Sequence, residues 1–288
     1  MASKNLISTE ELSVLLAQGE ICVVDCRSEL MDRDAGRRSY EKSHIPGAVF
    51  MNLDQDLASP PTATSGRHPL PEPSVFAATA GKLGISRETP LVVYDQGSGA
   101  FAARAWWLFR WIGHDNVRLL DGGFAAWSEC YGSCSEPVSR KPATFEVTEQ
   151  AEMIVSTAEI QAAMAEVTAF NLLDARDPAR FRGEVEPIDR VAGHIPGAAN
   201  FPFQASLNEN GYWKSRPHLE ALWQRECGKT RNSKRVVMCG SGVTACHLII
   251  SAIEAGYGQP RLYVGSWSEW IADKRRPIAT GCGKSGAN

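Results

Sequence analysis

The sequence lacks three features that would each point to a particular class of protein. None of its eight cysteines forms a CxxC pair, no apolar stretch approaches the roughly 20 residues that span a bilayer, and neither sign of charge dominates. The 30 Lys and Arg and 33 Asp and Glu are mixed along the chain, so the basic surface typical of nucleic-acid binding is missing. The segment MASKNLISTEEL also lacks the apolar core of a signal peptide. We therefore expect a cytoplasmic protein with reduced thiols that binds neither nucleic acid nor a membrane.

Length and composition indicate an ordinary globular protein. The 288 residues are about twice the size of a common domain, which favours two domains. With 43% hydrophobic and 22% charged residues, the chain has enough apolar side chains to build two cores. No cluster of His and Cys has the spacing of a zinc site, and we expect no metal and no cofactor.

The chain contains the same series of motifs twice, at an offset of about 150 residues. Each series begins with a Ser-x-x-Glu capping box, which predicts a helix after Ser8 and another after Ser156. A short buried strand ending in Asp-x-Arg follows, then a His-Ile-Pro-Gly-Ala turn and further strands and helices. The corresponding segments are 23–27 and 172–176, 44–48 and 194–198, the predicted strands 49–53 and 199–203, 91–95 and 236–239, and 117–123 and 260–266.

Alternating strands and helices predict βαβ units, and therefore two tandem α/β domains, each with a parallel sheet flanked by helices on both faces. We place the first domain at 1–136, a linker poor in periodic pattern at 137–150, and the second domain at 151–288. The loop 58–73 inside the first domain carries five prolines. Because unstructured loops of this length are uncommon in compact domains, we suspect that it has a function.

One pair of equivalent positions differs between the halves. At the end of the central strand, where open α/β sheets place ligands, the first half has Asp95 and the second has Cys239. The glycines of the CGSGVT loop after Cys239 allow backbone N–H groups to turn inward, and the following helix adds partial positive charge. A thiolate would be stabilised there and nucleophilic at neutral pH. The alternative is a buried cysteine that packs as a small hydrophobic residue.

Several motifs together carry a resemblance to a known family. They are the CGSGVT loop, the two Asp-x-Arg strand ends, the two HIPGA turns and GSWSEW near the C-terminus. With them the chain resembles, over essentially its whole length, the tandem rhodanese-domain sulfurtransferases. The loop is similar to that of the 3-mercaptopyruvate sulfurtransferases, whereas rhodaneses that prefer thiosulfate usually carry basic side chains after the cysteine. The resemblance implies two rhodanese-like domains, an inactive first domain, and a site between the domains around Cys239.

The resemblance also implies two arginines that hold the substrate carboxylate. Arg180 matches the first of them, and the planar guanidinium suits a carboxylate. The family's second arginine sits nine residues further on, where this chain has Asp189, with Arg190 one residue later. We expect Arg180 and Arg190 to bind substrate, the alternative for each being a solvated charge in a polar loop.

Further roles are implied for the active loop and for the proline-rich loop. Gly240, Gly242, Val243 and Thr244 are expected to bind the substrate, chiefly through backbone N–H groups that stabilise charge on sulfur. By resemblance, Ser241 belongs to a relay with His68 and Asp54, in which histidine suits proton transfer near pH 7. The alternative is that these three are ordinary loop residues.

The activity implied is transfer of sulfane sulfur from 3-mercaptopyruvate, through a Cys239 persulfide, to a thiol acceptor such as thioredoxin or a small thiol, or to cyanide, with release of pyruvate. Two alternatives stay open, a thiosulfate:cyanide sulfurtransferase and a non-catalytic persulfide carrier. A Cys-dependent phosphatase is disfavoured, because Val243, Thr244 and Ala245 provide no arginine to grip a phosphate.

Residues that recur in both halves are interpreted as structural, because one of the halves has no nucleophile. His44 and His194 are expected to fix the turn before a strand. The charged residues at the strand ends are expected to form ion pairs, namely Asp25 with Arg27 and Asp174 with Arg176.

Overall fold

A computed structural model describes residues 3–19, 21–165, 171–228 and 234–282. The chain forms two compact units. The first unit comprises residues 1–60, 70–151 and 209–213, and the second comprises 61–69, 152–208 and 214–288. No helix in the described ranges is long and apolar enough to cross a membrane.

The first unit is built on a five-stranded parallel sheet with strand order β1-β5-β4-β2-β3. Its strands are β1 (Leu6–Ile7), β2 (Cys22–Asp25), β3 (Val49–Phe50), β4 (Leu91–Tyr94) and β5 (Val117–Leu120). The flanking helices are α1 (Thr9–Gln18), α2 (Ala35–Lys42), α3 (Pro73–Lys82), α4 (Ala102–Trp111) and α5 (Gly123–Cys130).

The second unit repeats this arrangement in the order β6-β10-β9-β7-β8. Its strands are β6 (Ile154–Val155), β7 (Asn171–Asp174), β8 (Ala199–Asn200), β9 (Arg235–Met238) and β10 (Arg261–Tyr263). Its helices are α6 (Thr157–Ala165), α7 (Pro178–Arg182), α8 (Arg216–Cys227), α9 (Ala245–Glu254) and α10 (Ser266–Trp270), and a 3-10 turn spans Phe203–Ser206. The predicted fold class, two repeated α/β units with parallel sheets, is confirmed.

The capping boxes start the first helix of each unit as predicted. The hydroxyl of Ser8 accepts the N–H of Glu11 at 3.2 Å. In the second unit the bonding is reciprocal, since the Ser156 hydroxyl accepts the Glu159 N–H at 3.2 Å and the Glu159 carboxylate accepts the Ser156 N–H at 2.8 Å. These bonds satisfy N–H groups that have no partner inside the helix.

The strands after the HIPGA turns are shorter than the predicted segments 49–53 and 199–203. The edge strand β3 pairs through Val49 and Phe50 only, because Asn52 then turns the chain by accepting the N–H groups of Asp54 and Gln55. In the second unit Pro202 has no N–H to continue the ladder, and the 3-10 turn begins at the next residue.

The predicted ion pairs at the strand ends are present and buried. Arg27 donates to Asp25 at 2.7 Å, and Arg176 donates to Asp174 at 2.7 Å. Each arginine also donates to a carbonyl before the HIPGA turn, of Ser43 in the first unit and Gly193 in the second. Each pair therefore ties the end of a central strand to the turn that precedes the next strand.

The turn histidines make matching contacts in the two units. Nδ1 of His44 lies 2.7 Å from the carbonyl oxygen of Tyr40, and Nδ1 of His194 lies 2.8 Å from that of Phe181. Each ring also stacks on the ring of the same partner. These contacts support the expectation that the two histidines fix the turns.

Residues 137–150 contain neither helix nor strand, and they pack on the first unit. Ala143 donates its N–H to the carbonyl of Gly81, and Phe145 is buried. The boundaries placed at 136 and 151 stay a prediction.

Two short segments group with the other half of the sequence, 61–69 with the second unit and 209–213 with the first. In the latter, the N–H of Trp213 donates to the carboxylate of Asp121 at 2.9 Å.

Candidate active site

Cys239 directly follows β9, at the carboxyl end of the central strands of the second unit, and is 2% exposed. Residues at the start of α10 hold the backbone of Cys239 and Gly240 through hydrogen bonds. Trp267 donates its N–H to the carbonyl of Cys239 at 3.0 Å, and Ser268 donates to that of Gly240 at 2.9 Å. The N–H of Cys239 donates to the hydroxyl of Ser266 at 3.1 Å. The cysteine is therefore fixed by backbone contacts that do not involve its sulfur.

Ser266 is a site residue that the sequence did not reveal. It is fully buried and has a φ of 53°, and in the described ranges no other residue except glycine has a positive φ. Such a conformation costs about 1–3 kcal/mol and is usually found where the surroundings require it. Its hydroxyl accepts from Cys239 and donates to the carbonyl of Tyr263 at 2.9 Å. The signal that could have found it is the repeat, which aligns Ser266 with Gly123.

Two glycines shape the loop for close approach. Gly242 has a φ of +76°, and a Cβ there would lie 2.5 Å from the carbonyl oxygen of Val264. A Cβ on Gly240 would lie 2.7 Å from Nη2 of Arg67 and 3.5 Å from Nη2 of Arg180. A side chain at position 240 would therefore displace the Arg67 guanidinium from its place against the loop.

The rest of the loop leads into α9. Val243 is buried, and its carbonyl accepts the N–H of Cys246 at 3.1 Å as the helix begins. Thr244 is the N-cap residue, but its side chain makes no capping hydrogen bond among the described residues. The start of this helix therefore depends on backbone geometry rather than on a side-chain cap.

Ser241 and His68 meet in the second unit. The Ser241 hydroxyl lies 2.7 Å from Nδ1 of His68, and both side chains are buried. Because His68 belongs to the segment 61–69, the proline-rich loop supplies a titratable group beside the active loop. Asp54 belongs to the first unit, where its carboxylate lies 3.9 Å from Nε of Arg33, and its place in a relay stays a prediction.

An ion-pair network lies beside the loop. Arg180 donates to Glu186 at 2.7 Å and to Asp189 at 3.2 Å. Arg67 donates from Nε to one oxygen of Asp189 at 3.0 Å and from Nη2 to the other at 3.2 Å. Arg176 lies 3.4 Å from Glu186 and extends the network. Arg67 and Asp189 are therefore parts of the site that the sequence did not predict, because their pairing spans 122 residues.

Arg190 is not brought into this network. It is exposed, and its guanidinium donates to the carbonyl of Ile271. The chain instead directs Asp189 toward the loop, so the expectation that Arg190 holds the substrate has no support in this geometry. The second guanidinium that lies against Gly240, beside that of Arg180, belongs to Arg67.

The two carboxyl groups of the network differ in their proton affinity. Burial alone would raise the pKa of Glu186, but hydrogen bonds from Arg180 and from the N–H groups of Asp189 and Ile188 hold that pKa below its usual value. At Asp189, burial raises the pKa above its usual value despite the nearby Arg67 and Arg180. Glu186 therefore ionises readily and neutralises Arg180, whereas the ionised form of Asp189 is disfavoured by its burial.

The equivalent position of the first unit holds Asp95. Its carboxylate accepts four backbone N–H groups of its own loop, from Gly97, Gly99, Phe101 and Ala102, at 2.9–3.2 Å. The backbone carbonyl of Asp95 also accepts an N–H from the start of α5, which is the arrangement seen between Cys239 and α10. The loop of the first unit is thus an anion site that its own side chain fills.

All eight cysteines lie in the described part of the chain, and none forms a disulfide. Cys246 donates its thiol to the carbonyl of Gly242 at 3.3 Å inside α9. Burial raises the pKa of Cys22 to about 11, so that thiol is protonated at neutral pH. Across the described residues, no group of three or more His, Cys, Asp or Glu side chains is arranged to hold a metal ion.

Comparisons with known proteins agree with this geometry. The model of the rhodanese-like domain matches residues 8–130 and 156–273. The chain is 44% identical to a protein of Pseudomonas aeruginosa named "Probable 3-mercaptopyruvate sulfurtransferase", over 98% of this chain and 100% of that one. It is 35% identical to the thiosulfate sulfurtransferase of Cricetulus griseus, over 98% and 96% of the two chains. The crystal structure of SseA from Escherichia coli, described as a 3-mercaptopyruvate sulfotransferase, superposes with a TM-score of 0.80 at 31% identity, covering 92% of this chain and 100% of that one.

Proposed function

The chain belongs to the rhodanese family, and from that premise we propose that it is a sulfurtransferase that takes sulfur from 3-mercaptopyruvate. The observation that carries the proposal is the position of Cys239, a buried thiol at the end of β9 with Ser241, His68 and two arginines beside its loop. We assign the reaction to the second unit, because the loop of the first unit is occupied by the carboxylate of Asp95.

The first half-reaction moves one sulfur atom to the enzyme. The Cys239 thiolate attacks the sulfur of 3-mercaptopyruvate, a new S–S bond forms, and the C–S bond breaks with its electron pair passing to carbon. The enolate that leaves takes up a proton and becomes pyruvate. In this proposal Ser241 and His68 pass that proton, a role supported by the 2.7 Å separation of the hydroxyl and the imidazole.

Two parts of the site stabilise negative charge, one on the donor carboxylate and one on sulfur. Arg180 binds the carboxylate of the donor, because its guanidinium lies against Gly240, next to the nucleophile. Backbone N–H groups of the loop from Gly240 to Thr244 stabilise negative charge on sulfur, in the way that the loop of the first unit binds the carboxylate of Asp95.

The second half-reaction returns the enzyme to its starting state. A thiolate acceptor attacks the outer sulfur of the Cys239 persulfide, so that the acceptor leaves as a persulfide and Cys239 as a thiolate. We propose a thiol such as thioredoxin or a small thiol, or cyanide, as the acceptor. We place the reaction in the cytoplasm, because the cysteine pattern favours a reducing compartment and none of the eight cysteines, all in the described ranges, is in a disulfide.

The test is a mass measurement on the protein after incubation with 3-mercaptopyruvate and no acceptor. We expect a gain of one sulfur atom on the peptide that contains Cys239, and pyruvate formation that disappears in Cys239→Ser. Cys130→Ser is the matched control, because it removes an exposed thiol of the first unit and should leave pyruvate formation unchanged. Undiminished turnover in Cys239→Ser would refute the proposal.

Thiosulfate remains the second candidate donor, since the chain is 35% identical to a thiosulfate sulfurtransferase over nearly its whole length. Comparison of kcat/KM for the two donors decides between them. Pyruvate formation also separates an enzyme from a carrier that holds a persulfide without turnover. A clear preference for thiosulfate would overturn the choice of 3-mercaptopyruvate while leaving the sulfurtransferase chemistry in place.

A further inference from the structure

We propose that Arg67 and Asp189 form a charge pair that sets donor specificity. In this proposal Arg67 is the second guanidinium that binds the donor carboxylate, and Asp189 lowers the positive charge of the site so that a monoanionic donor is favoured over a dianionic one. The inference rests on the proposed function, because it concerns the donor that reacts with Cys239.

The backbone of Arg67 is fixed to the framework of the active loop. Its N–H donates to the hydroxyl of Ser268 at 3.0 Å, and the N–H of Ser268 in turn donates to the carbonyl of Gly240 at 2.9 Å. The guanidinium then reaches the loop itself, since a Cβ on Gly240 would lie 2.7 Å from Nη2 of Arg67. Arg67 is therefore held beside the residue that follows the nucleophile.

The hydrogen bonds of the two guanidiniums leave N–H groups for a ligand. Arg67 bonds to Asp189 through Nε and Nη2, and Arg180 bonds to Glu186 and Asp189 through the same two nitrogens. Nη1 of each arginine makes no hydrogen bond to the described residues. The side chains of Arg67 and Arg180 are 29% and 15% exposed, against 4% for Asp189. A ligand that enters from solvent therefore meets the guanidiniums before the carboxylate behind them.

Asp189 determines the charge that this ligand encounters. The connected ion pairs beside the loop contain three guanidiniums and three carboxylates, from Arg67, Arg176, Arg180, Asp174, Glu186 and Asp189. A balanced cluster can bind one carboxylate through directed N–H groups, but it gives a second negative charge no additional Coulomb attraction. Thiosulfate carries two negative charges and the carboxylate of 3-mercaptopyruvate carries one. Removal of the Asp189 charge should therefore strengthen the binding of thiosulfate more than the binding of 3-mercaptopyruvate.

Alkylation of Cys239 measures the attraction of this site for an anion without requiring sulfur transfer. Iodoacetate carries a carboxylate, whereas iodoacetamide is a neutral reagent of nearly the same shape, so the ratio of their rates at Cys239 reports attraction of an anion to the site. Mass spectrometry of the Cys239 peptide gives both rates. The exposed Cys282 supplies the reference ratio in the same sample.

Three variants give the expected pattern. Arg67→Gln should lower the iodoacetate preference at Cys239 about tenfold, and Asp189→Asn should raise it about tenfold, since each changes the local charge by one unit. The double variant Arg67→Gln/Asp189→Asn removes both charges and should return the ratio to within about threefold of the wild type. This double variant also removes the buried Asp189 carboxylate, which Arg67→Gln alone leaves with Arg180 as its remaining partner.

Steady-state kinetics test specificity with the two donors. Arg67→Gln should raise the KM for 3-mercaptopyruvate about tenfold with a smaller change in kcat, because binding rather than the chemical step loses a contact. Asp189→Asn should raise the ratio of kcat/KM for thiosulfate to that for 3-mercaptopyruvate about tenfold. Arg190→Gln is the matched control, since it removes a charge from the same segment but outside the network. It should leave unchanged both the alkylation ratio at Cys239 and the ratio of kcat/KM for the two donors.

The outcomes separate this inference from the function on which it rests. If Cys239 of the wild type reacts with neither reagent and forms no persulfide, the proposed function fails and the inference fails with it. If Cys239 reacts and turns over, but Arg67→Gln and Asp189→Asn shift neither the alkylation ratio nor the donor ratio more than Arg190→Gln does, the inference alone is overturned.

Discussion

The first unit binds an anion of its own in the loop where the second unit holds a thiol. Asp95 and Cys239 follow equivalent strands, and in each unit the second helix after that residue, α5 or α10, donates one N–H group to its backbone carbonyl. In the first unit the carboxylate of Asp95 accepts four N–H groups of the loop. The comparison indicates what such a loop does in this fold, which is to gather backbone N–H groups around negative charge at the end of a strand.

A second difference lies at the start of the helix that holds each loop. The first unit has Gly123 with a φ of +58°, and the second has Ser266 with a φ of +53°. The two residues share this backbone conformation, and the serine hydroxyl makes contacts with Cys239 and Tyr263 for which glycine has no side chain. The unit that carries the nucleophile therefore accepts a strained residue that the other unit does not have.

The largest effect should come from making the second loop like the first. In Cys239→Asp, the new carboxylate should accept loop N–H groups as Asp95 does, and sulfur transfer should fall at least about 1,000-fold because the nucleophile is gone. Pyruvate formation and far-UV circular dichroism check the two parts of this expectation. A folded Cys239→Asp protein that retained a tenth of the activity would contradict the assignment of the nucleophile.

The next largest effect should come from emptying the first loop. Asp95→Ala leaves several N–H groups without their acceptor, and we expect the free energy of unfolding to fall by about 3–5 kcal/mol. Asp95→Asn keeps one oxygen and should cost about half as much. Urea denaturation measures both, with the exposed Asp115→Ala as control, expected within about 0.5 kcal/mol of the wild type. Equal stability of Asp95→Ala and Asp115→Ala would show that the loop does not need its carboxylate.

Exchanging the two helix-start residues should affect the units unequally. A Cβ on Gly123 would lie 2.6 Å from the carbonyl oxygen of Asp95, so Gly123→Ser should lower the free energy of unfolding by about 2–3 kcal/mol. Ser266→Gly loses two hydrogen bonds but relieves the left-handed strain, and its net cost should be about 1 kcal/mol or less. Chemical denaturation of both variants gives the comparison, and a larger loss for Ser266→Gly would reverse it.

The smallest effect concerns pH and a buried thiol of the first unit. Cys22 occupies the strand position that Asn171 holds in the second unit, and burial raises its pKa to about 11 from the ordinary value of 9.0. Above pH 9 the unfolded chain releases this proton and the folded chain retains it, so stability is lost as pH rises toward 11. The free energy of unfolding should fall by about 2 kcal/mol more for the wild type than for Cys22→Ala between pH 9 and 11. Parallel denaturation profiles of the two proteins would contradict this assignment.

The repeated motifs made the fold predictable, because capping boxes, buried strands and turns are local patterns with local causes. The Ser8 and Ser156 caps and the buried Asp25–Arg27 and Asp174–Arg176 pairs all follow from residues a few positions apart. The predicted strands after the turns were too long because Asn52 and Pro202 act on the backbone at positions where hydrophobicity still suggests a strand.

The site was predictable where one motif contains it and obscure where distant residues combine. The loop from Cys239 to Thr244 could be identified from its own sequence, and the motif around His68 pointed to a residue that does contact Ser241. The role of Arg67 depends on a partner 122 residues away, and no spacing rule connects Arg67 with Asp189. Arg190 was favoured because it is the arginine nearest the expected position, but the backbone turns its side chain toward Ile271.

The grouping of residues 61–69 with the second unit has a consequence for how this protein can be divided. The repeated sequence suggests two modules that could be separated at the linker, yet a fragment that begins at residue 151 would lack Arg67 and His68. That fragment would keep the nucleophile, but it would lose His68, which contacts Ser241, and Arg67, one of the two arginines that pair with Asp189. We therefore expect a fragment that begins at residue 151 to be inactive on its own, and the peptide 61–69 is the piece that a complementation experiment would have to restore.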